Sequence, residues 1–218
     1  FLALPLSALA LTATATSGVG TYPIAVTAGA LVSPNYSFTY VDGTLTVTKA
    51  PLTVTAEGRT KVYGSANPAF SATLSGFVNG ETLATSGVIG TAALTTSAGA
   101  ASPVASYAIT PAVGTLGAAN YAFATFVDGT LTITKALLVV TADDKSRGYG
   151  SANPVFTAAV AGLVNGDTVG TTITVAYSTT ANSTSAVGPY PITAAVGGAS
   201  VGNYTLTNLP NSQVYGNL

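Results

Sequence analysis

Apolar residues alternate with Thr and Ser in many short stretches of this chain. Leu52, Val54 and Ala56 alternate with Thr53 and Thr55, and Leu131 and Ile133 with Thr132 and Thr134. A period of two turns one strand face to a core and the other to solvent, so these stretches predict half-buried strands. Phe70, Ala72 and Leu74 predict another, ended by Gly76 and the turn Asn79-Gly80. Weaker alternation from Ala92 to Ala98, then Tyr107 to Thr110 and Tyr121 to Phe123, gives further strands. Tyr63-Gly64-Ser65-Ala66-Asn67-Pro68 predicts a turn, because Gly permits positive φ and Pro forces Asn67 out of helical geometry. Glu57, Arg59 and Lys61 alternate with Gly58 and Thr60 and are expected on a solvent face. Same-face Tyr36, Phe38 and Tyr40 are expected in the core of a strand. A helix is plausible only as one turn over Glu81 to Thr85.

The strands recur. Residues 41–56 read VDGTLTVTKAPLTVTA and residues 127–142 read VDGTLTITKALLVVTA, an offset of 86. The same offset relates Tyr63, Gly64, Asn67 and Pro68 to Tyr149, Gly150, Asn153 and Pro154, and the turn Val78-Asn79-Gly80 to Val164-Asn165-Gly166. Three copies carry a Tyr-x-Ile strand at Tyr22, Tyr107 and Tyr190, and an Asn-Tyr pair at Asn35, Asn120 and Asn203. The chain therefore divides into 1–49 (the back part of a first repeat), 50–135 (a complete repeat) and 136–218 (a third lacking its last strand). Both ends fall inside a repeat, which suggests a longer natural protein. Phe1 to Ala15 also has the look of a signal-peptide core, but no basic segment precedes it and the residues that follow fit the repeat, so a strand of a partial repeat is expected there. Between repeats, Thr44 to Ala56 reads as one extended run of thirteen residues with no flexible linker. Such a run should be stiff and span roughly 40 Å.

The joint pattern, a V-Y-G-S-A-N-P-x-F segment, a V-N-G-[DE]-T turn, a Tyr-Pro-Ile strand, an Asn-Tyr pair and a closing D-G-T-L-T-[VI]-T-K, resembles the bacterial MBG domain of YGX type over essentially the whole chain. The resemblance implies mainly β, tandem β-grasp-like modules of about 86 residues, with an immunoglobulin-like sandwich as the alternative. It also implies a place in a large secreted or surface-attached, adhesin-like bacterial protein, and it carries over no catalytic residues. The modules are expected to form an elongated rod.

Composition narrows the chemistry. The chain has six Lys plus Arg, seven Asp plus Glu, and no His, Cys, Met or Trp; charged residues make up 6%, against roughly 25% in average proteins. It lacks the commonest general base, the thiol nucleophile and the usual zinc ligands. Scattered cations cannot neutralise a run of phosphates, so nucleic acid is not an expected partner. No apolar run approaches the ~18 residues of a spanning helix, so membrane insertion is not expected either. Twelve of the thirteen charges sit at repeat-equivalent positions, Asp144 being the exception. Recurrence in each module is the mark of scaffold chemistry, whereas an active site is one constellation. An enzyme is therefore not expected, nor a cofactor or metal; Asp143-Asp144 alone supplies too few oxygens for calcium.

Two sets of residues stand out as candidates. Lys49 with Asn35, and Lys135 with Asn120, are placed to form an intramolecular isopeptide bond if buried together with a carboxylate, although Lys is rarely buried unless paired. Tyr63, Gly64, Asn67, Pro68 and their counterparts Tyr149, Gly150, Asn153, Pro154 form the structural motif. With so few charges to protect strand edges, the leading expectation is a structural region that self-associates into fibres or a matrix through strand edges and apolar faces. The competing expectation is a passive stalk that presents a distal binding domain to a host or matrix surface. Weak glycan or ice-surface binding ranks below both.

Overall fold

The computed structural model describes residues 8–207 and 213–217. They are almost entirely strand and turn, with one 3₁₀ turn at Val201–Asn203 and no α-helix among the described residues. The back part of the first repeat supplies β1 (Leu9–Leu11), β2 (Gly20–Val26) and β3 (Gly43–Val47). The second supplies β4 (Ala50–Ala56), β5 (Arg59–Val62), β6 (Ala72–Ser75), β7 (Ala93–Thr95), β8 (Ser106–Ala112), β9 (Tyr121–Val127) and β10 (Gly129–Thr134). The third supplies β11 (Ala136–Ala142), β12 (Ala158–Ala161), β13 (Thr174–Thr179), β14 (Pro191–Gly197), β15 (Tyr204–Leu206) and β16 (Gln213–Asn217).

These strands gather into two compact units that do not coincide with the sequence repeats. The first unit holds the described residues up to Ala56 with Ser71–Thr95 and Thr110–Asp128. In it β1, β2 and β3 form an antiparallel sheet, while β4 pairs antiparallel with β6 and parallel with β9. Its core includes Leu52, Val54 and Tyr121, each at most 1% exposed. The second unit holds Glu57–Phe70, Thr96–Ile109 and the chain from Gly129 on. There β10 lies between β5, which is parallel, and the Ser106–Ile109 part of β8, which is antiparallel. Strand β11 repeats the β4 arrangement, antiparallel to β12 and parallel to β15, and β14 lies between β13 and β16. Ile109, Leu131, Leu138, Ile173, Ile192 and Ala194 are fully buried in this unit.

The run between repeats is broken. Only Lys135 separates β10 from β11, and burial changes phase across it: Leu131 and Ile133 are buried before it, Ala136, Leu138, Val140 and Ala142 after it. One extra residue in a period-two pattern turns the buried face over, so the chain passes from one sheet to the next there. Thr48 and Lys49 occupy the same place between β3 and β4.

Three local expectations change. Tyr36, Phe38 and Tyr40 lie outside any strand; Tyr36 is 78% exposed and Phe38 40%, with Phe38 and Tyr40 ring centroids 6.5 Å apart. Their counterparts in β9 are a strand because β4 pairs with them, and no described strand does so in the first repeat. Of Glu57, Arg59 and Lys61, Lys61 turns inward and is 6% exposed, while Glu57 and Arg59 stay half-exposed and pair with each other at 2.9 Å; the intervening Gly58 and Thr60 are exposed. The expected helical turn is one closed by the Ser86 N–H donating to the Thr82 carbonyl at 2.9 Å, too short to count as a helix.

Candidate functional site at the repeat junctions

The YGX turn builds the site from two sides. Gly64 has φ +81° and Gly150 φ +82°, a left-handed conformation that glycine tolerates at no steric cost. Within the turn, Asn67 Nδ2 donates to the Ala98 carbonyl at 2.6 Å and Asn153 Nδ2 to that of Ala181 at 2.8 Å. The motif Asn thus ties the turn to the loop before the Tyr-x-Ile strand, and the Pro after it keeps the Asn extended. The cation two residues before the motif Tyr fastens the same loop. Lys61 Nζ donates to the carbonyls of Ser65 at 3.0 Å and Gly99 at 2.6 Å. Arg147 bonds the Ser151 and Asn182 carbonyls and, through Nε, Asn153 Oδ1 at 2.8 Å.

Tyr63 leaves this turn to enter the next repeat. It is 4% exposed, its ring meets that of Tyr204 edge-on with centroids 5.6 Å apart, and its hydroxyl donates to Asp167 Oδ2 at 3.1 Å and accepts from Asn165 Nδ2 at 2.9 Å. Asp167 also accepts from Tyr204 at 2.7 Å and Ser200 at 2.7 Å. Burial pushes the Asp167 carboxyl up, but hydrogen bonds from Ser200, Tyr204, Thr172 and Tyr63 outweigh it and hold it below the usual carboxylate range. Burial first, then the bond to Asp167, pushes the Tyr204 phenol up to about 12. The same pair exists one repeat earlier, where Tyr121 donates to Glu81 Oε2 at 2.5 Å and that bond, before burial, raises the Tyr121 phenol above its ordinary value.

A second contact recurs from junction to junction. Asn120 Oδ1 accepts the Val19 N–H at 3.0 Å, and Asn203 Oδ1 accepts the Val104 N–H at 2.9 Å. In each, the Asn of one repeat's Asn-Tyr pair holds a loop of the repeat before it. The neighbouring tyrosine of each pair, Tyr121 or Tyr204, belongs to the carboxylate cluster.

The two sets of candidates fare differently. Lys49, Asn35, Lys135 and Asn120 are all exposed, and the structure does not place them for an isopeptide bond. Lys49 Nζ donates to the Ala118 carbonyl at 2.8 Å, Asn120 Oδ1 is taken by Val19, and both Lys residues stand at the phase change between strands, where side chains point outward. Tyr63, Gly64, Asn67 and Pro68 do act together, whereas Tyr149 is 71% exposed and a Cβ on Gly150 would meet no atom within 4 Å. Asp143 accepts from Thr157 Oγ1 at 2.5 Å, and the described residues contain no cluster of three or more metal-ligating side chains. Glu81 and Asp167 each follow an Asn-Gly turn at equivalent positions, and that recurrence is the sequence signal for the role they share.

A family model for the MBG domain of YGX type matches residues 3–46, 52–132 and 138–214. No curated protein and no solved structure matches the chain.

Proposed function

The chain belongs to the YGX-type MBG domain family, and from that membership we propose that it is a structural repeat region of an extracellular bacterial surface protein, assembling into a fibre or matrix. The family is one of structural domains and not a known enzyme family. The observation that carries the reading is the recurrence of one junction, Asn120 on Val19 and Asn203 on Val104, with a tyrosine–carboxylate pair beside each. What is repeated with such fidelity is the means of holding modules in series. Assembly between chains is favoured by the low charge and by single apolar side chains left in solvent, among them Val32 at 90%, Val155 at 84% and Val187 at 91% exposure.

Sedimentation velocity over a concentration series, with electron microscopy of the same samples, tests this reading. Concentration-dependent polymers are expected. A chain that stays monomeric throughout would return the region to a passive stalk presenting a distal adhesive domain.

A further inference from the structure

The turn that meets Tyr63 carries a side chain able to react with its own backbone. Val164-Asn165-Gly166-Asp167 is closed by the Asp167 N–H donating to the Val164 carbonyl at 3.1 Å, with φ +59° at Asn165 and +76° at Gly166. Positive φ at both central positions is the turn that Asn-Gly favours. Asn is also a thermolabile side chain, and most of all before Gly, where no side chain screens the following nitrogen. Asn165 and Gly166 are both exposed, and a Cβ added at Gly166 would meet no atom within 4 Å, so water reaches the turn.

In the folded chain the carboxamide is held away from that nitrogen. Asn165 Nδ2 donates to the Tyr63 hydroxyl at 2.9 Å and to the Ala101 carbonyl at 3.3 Å, both supplied by repeat 2. Bringing Asn165 Cγ onto the Gly166 nitrogen takes the carboxamide off these two acceptors. The surroundings are close-packed and already charged. Gly64 lies against Val164, where an added Cβ would come within 2.7 Å of Val164 Cγ2. Asp167 is buried and accepts from Tyr63, Tyr204 and Ser200.

We infer that Asn165 is a self-modification site whose hydrolysis unlocks the junction of repeats 2 and 3, with Tyr63 setting its rate. The Gly166 backbone nitrogen bonds to Asn165 Cγ and gives up its proton. The Cγ–Nδ2 bond breaks, and that nitrogen leaves with the proton as ammonia. Water then opens the cyclic imide at either carbonyl, giving aspartate, or isoaspartate in which the main chain runs through the side-chain carbon. Either product replaces a donor by a carboxylate, which only accepts. The Tyr63 hydroxyl is left with one proton between two acceptors, Ala101 loses its donor, and a second negative charge stands near Asp167. Isoaspartate also lengthens the main chain beside Val164, against which Gly64 is packed. The chain alone cannot reverse the step, so conversion at Asn165 records how often the junction has opened. It needs only the chain and water, whether or not chains polymerise.

Ageing the full chain in mildly alkaline buffer below its unfolding temperature, with peptide mapping by mass spectrometry at intervals, tests the site. Conversion of Asn165 is read from the amide-to-acid mass change and from isoaspartate content. Tyr63→Phe should speed it by about fivefold, the factor that one hydrogen bond carries. Asn79-Gly80, a turn of the same form in the first unit, should keep its wild-type rate in that variant. Amide exchange on the unaltered chain gives a second readout: the aged, converted fraction should exchange faster than the fresh chain in β5 and the 96–105 loop. Asn165→Asp, the linear product made outright, should do the same. No conversion at Asn165, equal rates with and without the Tyr63 hydroxyl, an equal rise at Asn79, or exchange in β5 untouched by conversion would overturn it.

Discussion

Lys61 and Arg147 occupy one position in successive repeats and solve it unequally. Both fasten the turn to the loop beyond it, but only Arg147 bonds the motif Asn as well, through Nε, while Lys61 Nζ is bonded to the Ser65 and Gly99 carbonyls. Asn67 Oδ1 is buried with no hydrogen-bond partner among the described residues. An unmet buried acceptor costs about 1–3 kcal/mol, and a planar guanidinium spreads its donors over a fork that bonds the carbonyls and the Asn together, as Arg147 does, where an ammonium presents all of its donors from one atom. Lys61→Arg is therefore expected to raise stability by about 1 kcal/mol, read as a higher urea midpoint at unchanged slope. A midpoint that stays or falls would mean that solvent already meets Asn67. None of this was legible beforehand. The alternation of Glu57, Arg59 and Lys61 predicts a solvent face only if charge alone sets direction. Lys61 turns inward because two carbonyls wait there, and those belong to Ser65 and Gly99, the second 38 residues away.

At the scale of elements, strands were legible and their edges were not. The period-two pattern of Leu52, Val54 and Ala56 needs nothing beyond its own neighbours to be read, and those residues are buried in β4. The phase change at Lys135 was concealed, since a run of Thr and β-branched residues looks extended on either side of it. Strand β15 depends on what lies at its first residue: Tyr204 pairs with Ala136 of β11 and donates to Asp167. Asp167 is held below its ordinary range in the folded chain, so its contribution is present above the unfolded value of about 3.9 and is lost as pH falls through the folded one. Tyr204 is raised to about 12, so its contribution is present below the unfolded value and is lost as pH rises toward about 12. The urea midpoint should therefore be flat from ~pH 5 to ~pH 9 and decline on both sides. Asp167→Asn should flatten the acid decline and Tyr204→Phe the alkaline one. An acid limb unchanged by Asp167→Asn would assign it to other carboxylates.

At the scale of the whole molecule, repeat and compact unit are different things. Sequence similarity marks out 50–135, whereas Glu57–Phe70 and Thr96–Ile109 gather with the third repeat and Ser71–Thr95 and Thr110–Asp128 with the first. The tie responsible in the second unit is long-range, Tyr63 to Asp167 across 104 residues and Val104 to Asn203 across 99, which no local pattern could announce. In repeat proteins stability is a sum of module terms and nearest-neighbour interface terms, and amide exchange reports which segments open together. If the junction is the interface term, Tyr63→Phe combined with Asn203→Ala should speed exchange in β5 and the 96–105 loop by about tenfold or more. Exchange in β4, β6 and β9, which belong to the same sequence repeat, should hold its wild-type rate. A uniform rise over all of 50–135 would instead make the repeat the unit that opens. Because the two variants remove bonds from one junction, their effects should also fall short of additive or exceed it by about 0.5–3 kcal/mol, whereas strict additivity would separate the phenol and the carboxamide into independent contacts.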